Sequence, residues 1–250
     1  MKTEFVYMTE MTDPYFHWNK IQNSKERPLI IYSKNKIPVD FLKENKDVGV
    51  NITITGWGNT WLEPNVPSAI QMIDYFNQLT NEIDINRIRL RIDPIIPTEC
   101  GIVIANAVLN SIVKLPKTII SIIQLYSGQN EIFRELEINF DDYTIQSGRA
   151  LFPKKQVAEE IYNSLIKERP ESKDLISFCG MPYQIGNLHN GCVDDDMLKA
   201  IGVKDFKRIK EGYQRPGCKC VIQKKQLLFG KCEHGCKYCY AHKENLKGMI

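Results

Sequence analysis

The chain has no apolar run approaching the roughly 20 residues needed to cross a bilayer, which argues against a membrane-spanning helix, and no membrane partner is expected. No G-x-G-x-x-G or Walker loop follows a strand-like run, which weakens the case for an open nucleotide-binding sheet. Internal repeats and low-complexity tracts are absent as well. A large excess of one charge sign is lacking too. A net charge of +3 over 250 residues is too small to argue for nucleic acid by itself. The opening Met1-Lys2-Thr3-Glu4 runs into polar sequence rather than an apolar signal core, so a cytoplasmic location is expected.

Cysteine, by contrast, is unevenly abundant. Cys100, Cys179 and Cys192 are scattered, whereas Cys218, Cys220, Cys232, Cys236 and Cys239 crowd together near the end. Disulfide frameworks belong to oxidising compartments. In a reducing cell such a cluster reads as a metal site. The same region is basic, with eleven lysines and two arginines between Lys199 and Lys247. That segment is either a candidate surface for an anionic partner such as nucleic acid or a solvated face around a metal.

Strand-like and helix-like runs alternate along the first 200 residues. Phe5 to Tyr7, Pro28 to Tyr32, Val48 to Thr55, Ile88 to Ile92, Lys117 to Leu125 and Asp174 to Phe178 read as strands through β-branched enrichment. Helices are expected from Pro67 with a stripe of Ile70, Ile73, Phe76 and Leu79, over Gly101 to Val113, over Lys154 to Lys167 and over Asp194 to Ile201. Such alternation implies parallel strands joined by right-handed crossovers. The expected fold is α/β, a full or partial (β/α) TIM-like barrel over residues 1–202. A cysteine- and lysine-rich metal-binding extension over 203–250 would pack on it.

Active sites of such barrels lie beyond the carboxyl ends of the strands. The polar residues found there are Asp13, Gly56, Trp57, Glu63, Arg91, Asp93 and Gln124. Arg91 and Asp93 lie two apart on a strand and so share a face. They form either a substrate-binding pair or a satisfied core ion pair. Asp13 and Asp93 each precede proline, a common cap or turn arrangement. Gly56 and Trp57 are candidate cofactor contacts, although Trp57 equally suits a lid over the barrel. His17, in an aromatic patch, suits packing, and His189 suits a loop. His234 and His242 are placed to support a metal held by neighbouring thiols.

Two metals fit the cysteines. Zinc takes four ligands, which Cys218-x-Cys220 and Cys236-x-x-Cys239 supply, with Cys232 or His234 to spare. The triplet Cys232-x-x-x-Cys236-x-x-Cys239, with Tyr238 before its last thiol, resembles the signature of radical S-adenosylmethionine enzymes. That resemblance implies three thiolates on a [4Fe–4S] cluster, a fourth iron open for S-adenosylmethionine, a role for Tyr238 at the cofactor, and a reducing partner. Here the triplet stands at the end of the chain rather than after the first strand. If Cys218 or Cys220 closed the open iron, the cluster would be structural or electron-transferring.

The wider pattern resembles a prokaryotic family catalogued as a domain of unknown function. Its blocks are matched by Thr55-Gly-Trp-Gly58, Leu62-Glu-Pro-Asn-Val-Pro67, Arg91-Ile-Asp-Pro94, Cys192-Val-Asp194, Cys218-x-Cys220 and the C-x-H-G-C-x-Y-C-Y-A run from Cys232 to Ala241. The resemblance implies a barrel akin to radical S-adenosylmethionine enzymes, with a C-Y-C-Y element similar to that of spore photoproduct lyases. A DNA-repair label is often attached to such proteins. One block departs: a basic S-R-R-T-D type is replaced by Thr9-Glu-Met-Thr-Asp13, which removes the arginines of a shared anion site. Three functions therefore stand at this point. They are an iron–sulfur enzyme acting on a small molecule, nucleotide or nucleic-acid base, a non-radical iron–sulfur or zinc protein, and a nucleic-acid-binding module.

Overall fold

A computed structural model of the chain describes residues 2–126, 129–147, 150–214 and 217–239. Seven parallel strands build its frame: β1 (Phe5–Met8), β2 (Leu29–Ser33), β3 (Val48–Thr53), β4 (Ile88–Ile95), β5 (Thr118–Ile122), β9 (Ile176–Phe178) and β10 (Gln223–Gln226). Their spatial order is β10-β1-β2-β3-β4-β5-β9, and the two outer strands do not pair with each other. The sheet is thus an open, partial barrel within a mixed α/β fold. A small antiparallel sheet of β6 (Leu125–Tyr126), β8 (Ala150–Pro153) and β7 (Tyr143–Ser147) is inserted between β5 and β9.

Among the described residues, seven α-helices accompany the strands: α1 (Trp18–Gln22), α2 (Val39–Glu44), α3 (Ala69–Glu82), α4 (Glu99–Ser111), α5 (Asn130–Glu135), α6 (Lys155–Glu168) and α7 (Asp195–Ala200). Central strands β2, β3 and β5 are buried at every residue, as parallel strands covered on both faces must be. Alternation divides them. Leu29, Ile31, Val50, Ile52 and Leu90 face the core made by α3, α4 and α6, while Ile30, Tyr32 and Ile119 point into the concave side with Met197 and Leu198 of α7.

The expected strands all form, with shifted ends. The helix from Pro67 is corrected in two ways. Ser68 is its N-cap and makes a reciprocal capping box with Gln71, so Pro67 lies before the helix rather than as its first residue. Its buried face is Met72, Tyr75, Phe76 and Leu79, while Ile70 points to solvent. Residues 203–250, expected as an extension packed on the barrel, supply strand β10, which pairs with β1 from Phe5↔Gln223 to Met8↔Gln226. That register turns Lys224 inward, where its ammonium pairs with Glu10 at 2.7 Å. Lys219 is buried too, so neither lysine is presented to an outside anion. Arg215, His242, Lys243 and Lys247 lie outside the described residues.

Arg89, Arg91 and Asp93 alternate along the concave face of β4. Arg89 is only 1% exposed and donates to Asp194 at 2.5 Å. Asp194 also caps α7 through the Met197 N–H and accepts from Lys117 at 3.1 Å. Burial pushes the Asp194 carboxyl up, but Arg89 and these hydrogen bonds outweigh it and hold it below its ordinary value. Removing one partner of a buried pair strands the other charge. Asp194→Ala is therefore expected to lower unfolding stability by about 3–5 kcal/mol in urea titrations. Because the folded-state pKa is depressed, the contribution is complete above the unfolded carboxylate range and fades as pH falls through the folded value. The difference between parent and variant should shrink in that acid window.

Candidate functional site

The carboxyl ends of the strands converge on a cavity of about 210 Å³. Glu10 follows β1, Lys34 follows β2, Thr53 ends β3, and Arg91 and Asp93 rise from β4. Gln124 follows β5, Cys179 follows β9, and Tyr238 with Cys239 reaches in from the C-terminal loop. Every one of these residues except Tyr238 and Cys239 is delivered by a sheet strand or its immediate exit, which fixes their mutual placement.

Of the expected pocket residues, Arg91, Asp93 and Gln124 line the cavity. Arg91 pairs with Asp93, whose other oxygen accepts from Ser121. Burial alone would pull the Arg91 guanidinium down, but Asp93 outweighs it and holds its pKa up. Gln124 is positioned by the Tyr126 hydroxyl, which donates to its Oε1 at 2.9 Å. Glu63 and Asp13 are placed differently: neither lines the cavity, and both hold the cysteine loop. Gly56 packs against Ile104 of α4, and Trp57 packs in the cluster beneath Tyr238, so neither borders the cavity.

Asp13 is fully engaged. Its Oδ1 accepts from the Ser33 hydroxyl at 2.9 Å and the Tyr15 N–H at 3.0 Å. Its Oδ2 accepts from the Lys34 N–H at 2.8 Å and faces His234 Nε2 at 2.7 Å. His234 in turn meets the Asn65 carbonyl through Nδ1 at 3.1 Å. Asn65 completes the clasp, its N–H donating to the His234 carbonyl at 3.2 Å and its side-chain amide to the Glu233 carbonyl at 2.7 Å. Lys237 N–H then donates to the Leu62 carbonyl at 3.0 Å. His234 fastens the loop between Cys232 and Cys236 to the exits of β1 and β3.

Tyr238 is seated by a second set of contacts. Its hydroxyl hydrogen-bonds Glu63, and Lys34 Nζ donates to both Glu63 Oε1 at 2.7 Å and the Tyr238 oxygen at 2.8 Å. Thr55 donates to the remaining Glu63 oxygen at 2.7 Å, and Gln129 donates to the Tyr238 carbonyl at 2.8 Å. Burial and the neighbouring Glu63 push the phenol well above its ordinary pKa, so it stays protonated. Burial pulls Lys34 down, but Glu63 and Cys236 outweigh it and keep the ammonium charged. The sequence reading missed Lys34, although it directly follows β2 as the other site residues follow their strands.

Cys232, Cys236 and Cys239 share one loop, near enough to influence one another electrostatically. Burial pushes the Cys236 thiol up to about 12, with Lys34 acting downward and Glu63, Cys239 and Cys232 upward. Burial raises Cys232 as well, opposed by the backbone N–H groups of His234 and Asp13. Cys218 and Cys220 are not in this group. The geometry places them with Cys192 and Cys179 inside the barrel, where Cys179 and Cys192 Sγ lie 3.7 Å apart. Among the described residues no three His, Cys, Asp or Glu side chains already converge as around one metal ion. The fit of the loop to a metal group therefore rests on its donor set, three thiols on one short segment, of which Cys239 lines the cavity. Tyr240, Ala241 and His242 lie outside the described residues.

With this arrangement in place, the family can be stated. The chain belongs to the family described as a domain of unknown function (DUF1848), which matches residues 4–241. No curated protein matches it. Among solved structures it is similar to a spore photoproduct lyase variant at 10% identity and a TM-score of 0.46, over 65% of this chain and 55% of that one. A second variant of that lyase, with bound AdoMet and dinucleoside spore photoproduct, matches at 10% identity and TM-score 0.46 over 66% and 56% of the two chains. The chain thus spans about half the length of those structures.

Removing the clasp has a local consequence. Asp13→Ala is expected to speed amide exchange at Asn65, His234 and Lys237 by roughly ten-fold or more, since a buried acceptor costs about 1–3 kcal/mol to lose. Exchange in β3 and β5 should stay unchanged. Uniform acceleration across the sheet would assign Asp13 to global stability instead.

Proposed function

We propose that this protein is an iron–sulfur enzyme of radical S-adenosylmethionine type, with Cys232, Cys236 and Cys239 as the cluster ligands. The observation that supports it most is positional: Tyr238 and Cys239 border the same strand-end cavity as Arg91, Asp93 and Gln124. The separate grouping of Cys218 and Cys220 leaves three loop thiols rather than five. Three soft thiolates leave one iron without a protein ligand. A cluster so held supplies reductive cleavage of S-adenosylmethionine when that cofactor binds.

The remaining roles belong to the chain. Asp13, His234 and Asn65 fix the loop's path, with Cys236 buried and Cys239 at the cavity. Lys34, Glu63 and the protonated Tyr238 hold the aromatic ring against the loop. Arg91 and Asp93 offer a cation and an anion side by side, suited to a polar, charged moiety. The cavity lies below the about 300–1,000 Å³ usual for ligand pockets, so it receives one polar portion of a ligand. A nucleotide or nucleic-acid base is the proposed substrate class, on the strength of the basic C-terminal sequence, of which Lys219 and Lys224 are turned inward and so excepted. Catalysis also calls for an external one-electron reductant.

Anaerobic purification with iron and sulfide is expected to yield a brown protein carrying about four irons per chain. Cys236→Ala should remove them, and the reduced parent should convert S-adenosylmethionine to 5′-deoxyadenosine. A chain that takes up no iron would refute the reading. Iron without cofactor cleavage would reduce it to a non-radical iron–sulfur protein. Cys218→Ala should leave the iron content of the loop unaltered.

A further inference from the structure

Two thiols outside the cysteine loop carry chemistry of their own. Cys179 and Cys192 are buried in the partial barrel, neither more than 3% exposed, and their sulfurs lie 3.7 Å apart. Both backbones are anchored to the sheet. The Cys179 N–H donates to the Ile120 carbonyl of β5 at 2.8 Å, and the Asn51 side-chain amide of β3 donates to the Cys192 carbonyl at 3.3 Å. The residues that follow are held as well, with the Gly180 N–H donating to the Gly217 carbonyl and the Val221 N–H to the Val193 carbonyl, both at 3.2 Å. The fold therefore sets the contact between two sulfurs that stand 13 residues apart in sequence.

Buried cysteines often serve as small apolar side chains, and Ile119 and Val193 pack in the same cluster as these two. Two features exceed that role. First, Cys179 lines the strand-end cavity, whereas among the described residues Cys192, Cys218 and Cys220 do not. That cavity of about 210 Å³ has room for several molecules of water size, each taking about 30 Å³. Second, the pair is polarised. Hydrogen bonds with the Cys179 and Cys220 thiols outweigh burial and hold the Cys192 thiol well below its ordinary pKa. One sulfur thus meets whatever enters the cavity, and a second with thiolate character, the nucleophilic form, stands in contact with it.

We propose that Cys179 and Cys192 form a redox-active dithiol, converted to a disulfide by a small two-electron oxidant of the peroxide class that enters through the cavity. The Cys179 sulfur attacks one peroxide oxygen, the O–O bond breaks, and Cys179 becomes a sulfenic acid as the first water leaves. The Cys192 sulfur then attacks the Cys179 sulfur, the S–O bond breaks, and the second water leaves. Two thiols and one hydrogen peroxide give one disulfide and two waters. Each thiol proton departs in a water, and the two electrons lost by the sulfurs reduce the peroxide. Bond formation draws the sulfurs from 3.7 Å to about 2.05 Å. The product ties the exit of β9 to the loop before α7 and takes the Cys179 S–H out of the cavity wall. Neither thiol belongs to the loop from Cys232 to Cys239, so this inference does not rest on the radical reading.

The test uses the unaltered full chain, treated with a small molar excess of hydrogen peroxide, then denatured, alkylated and digested. No lysine or arginine lies between the two cysteines, so trypsin leaves both in one peptide spanning 174–199. That peptide is expected to lose its alkyl label at both cysteines and to become about 2 Da lighter than its unlabelled reduced form, with both changes reversed by dithiothreitol. In Cys192→Ala the resolving thiol is gone, and Cys179 should accumulate as a sulfenic acid trapped by dimedone. If that variant does not fold, the mapping of the unaltered chain decides alone. Label retained at both cysteines, a sulfinic acid at Cys179 of the unaltered chain, or Cys192 linked instead to Cys218 or Cys220 would each overturn the proposal.

Discussion

The contact on which the candidate site depends is the clasp of His234 between the Asp13 carboxylate and the Asn65 carbonyl. Asp13 leaves β1 and also binds the start of the β2 exit through Ser33 and Lys34. Asn65 belongs to the connection between β3 and α3. One imidazole thus fastens the cysteine loop to the exits of three adjacent strands. Without it, nothing in the loop's own sequence would direct Cys236 inward, because the segment from 231 to 239 contains no helix or strand among the described residues.

A second constraint sits beside the first. Glu63 is 1% exposed, so its buried polar oxygens need partners, and Lys34, Thr55 and Tyr238 supply them. Tyr238 is therefore both a ligand of the buried carboxylate and a wall of the cavity. The same logic runs along β4. Arg89 deep in the barrel is matched by Asp194, while Arg91 at the rim is matched by Asp93. Buried charge demands pairing at both levels, but only the rim pair borders open space. A single strand thus carries one ion pair buried in the barrel and one at the rim of the cavity.

Much of the frame was legible in the sequence because fully buried parallel strands leave continuous β-branched runs. Leu29–Ser33, Val48–Thr53 and Thr118–Ile122 carry that mark. Gln223–Gln226 does not, since an edge strand of four polar residues has no apolar pattern to read, and its pairing with β1 is set by the chain's return. The two-residue β6 was likewise too short to separate from the run before it. The cavity lining was legible where residues follow strands, as with Arg91, Asp93 and Gln124. Asp13 and Glu63 were singled out correctly as strand-exit residues, but their role in holding the loop requires His234 and Tyr238 from more than 170 positions away. The partition of the cysteines is likewise tertiary. Spacing groups Cys218 and Cys220 with the loop, whereas the fold groups them with Cys179 and Cys192.

That partition carries the central claim, that three loop thiols hold a cluster with one iron left for S-adenosylmethionine. It is tested most directly by electron–nuclear double resonance on the reduced, iron-loaded chain with cofactor labelled with ¹⁵N at the methionine amine. Hyperfine coupling between that nitrogen and the cluster is the predicted result, since it requires an iron free of protein ligands. A loaded, reduced cluster that shows no coupling at saturating cofactor would mean the fourth iron is closed, and would contradict the account.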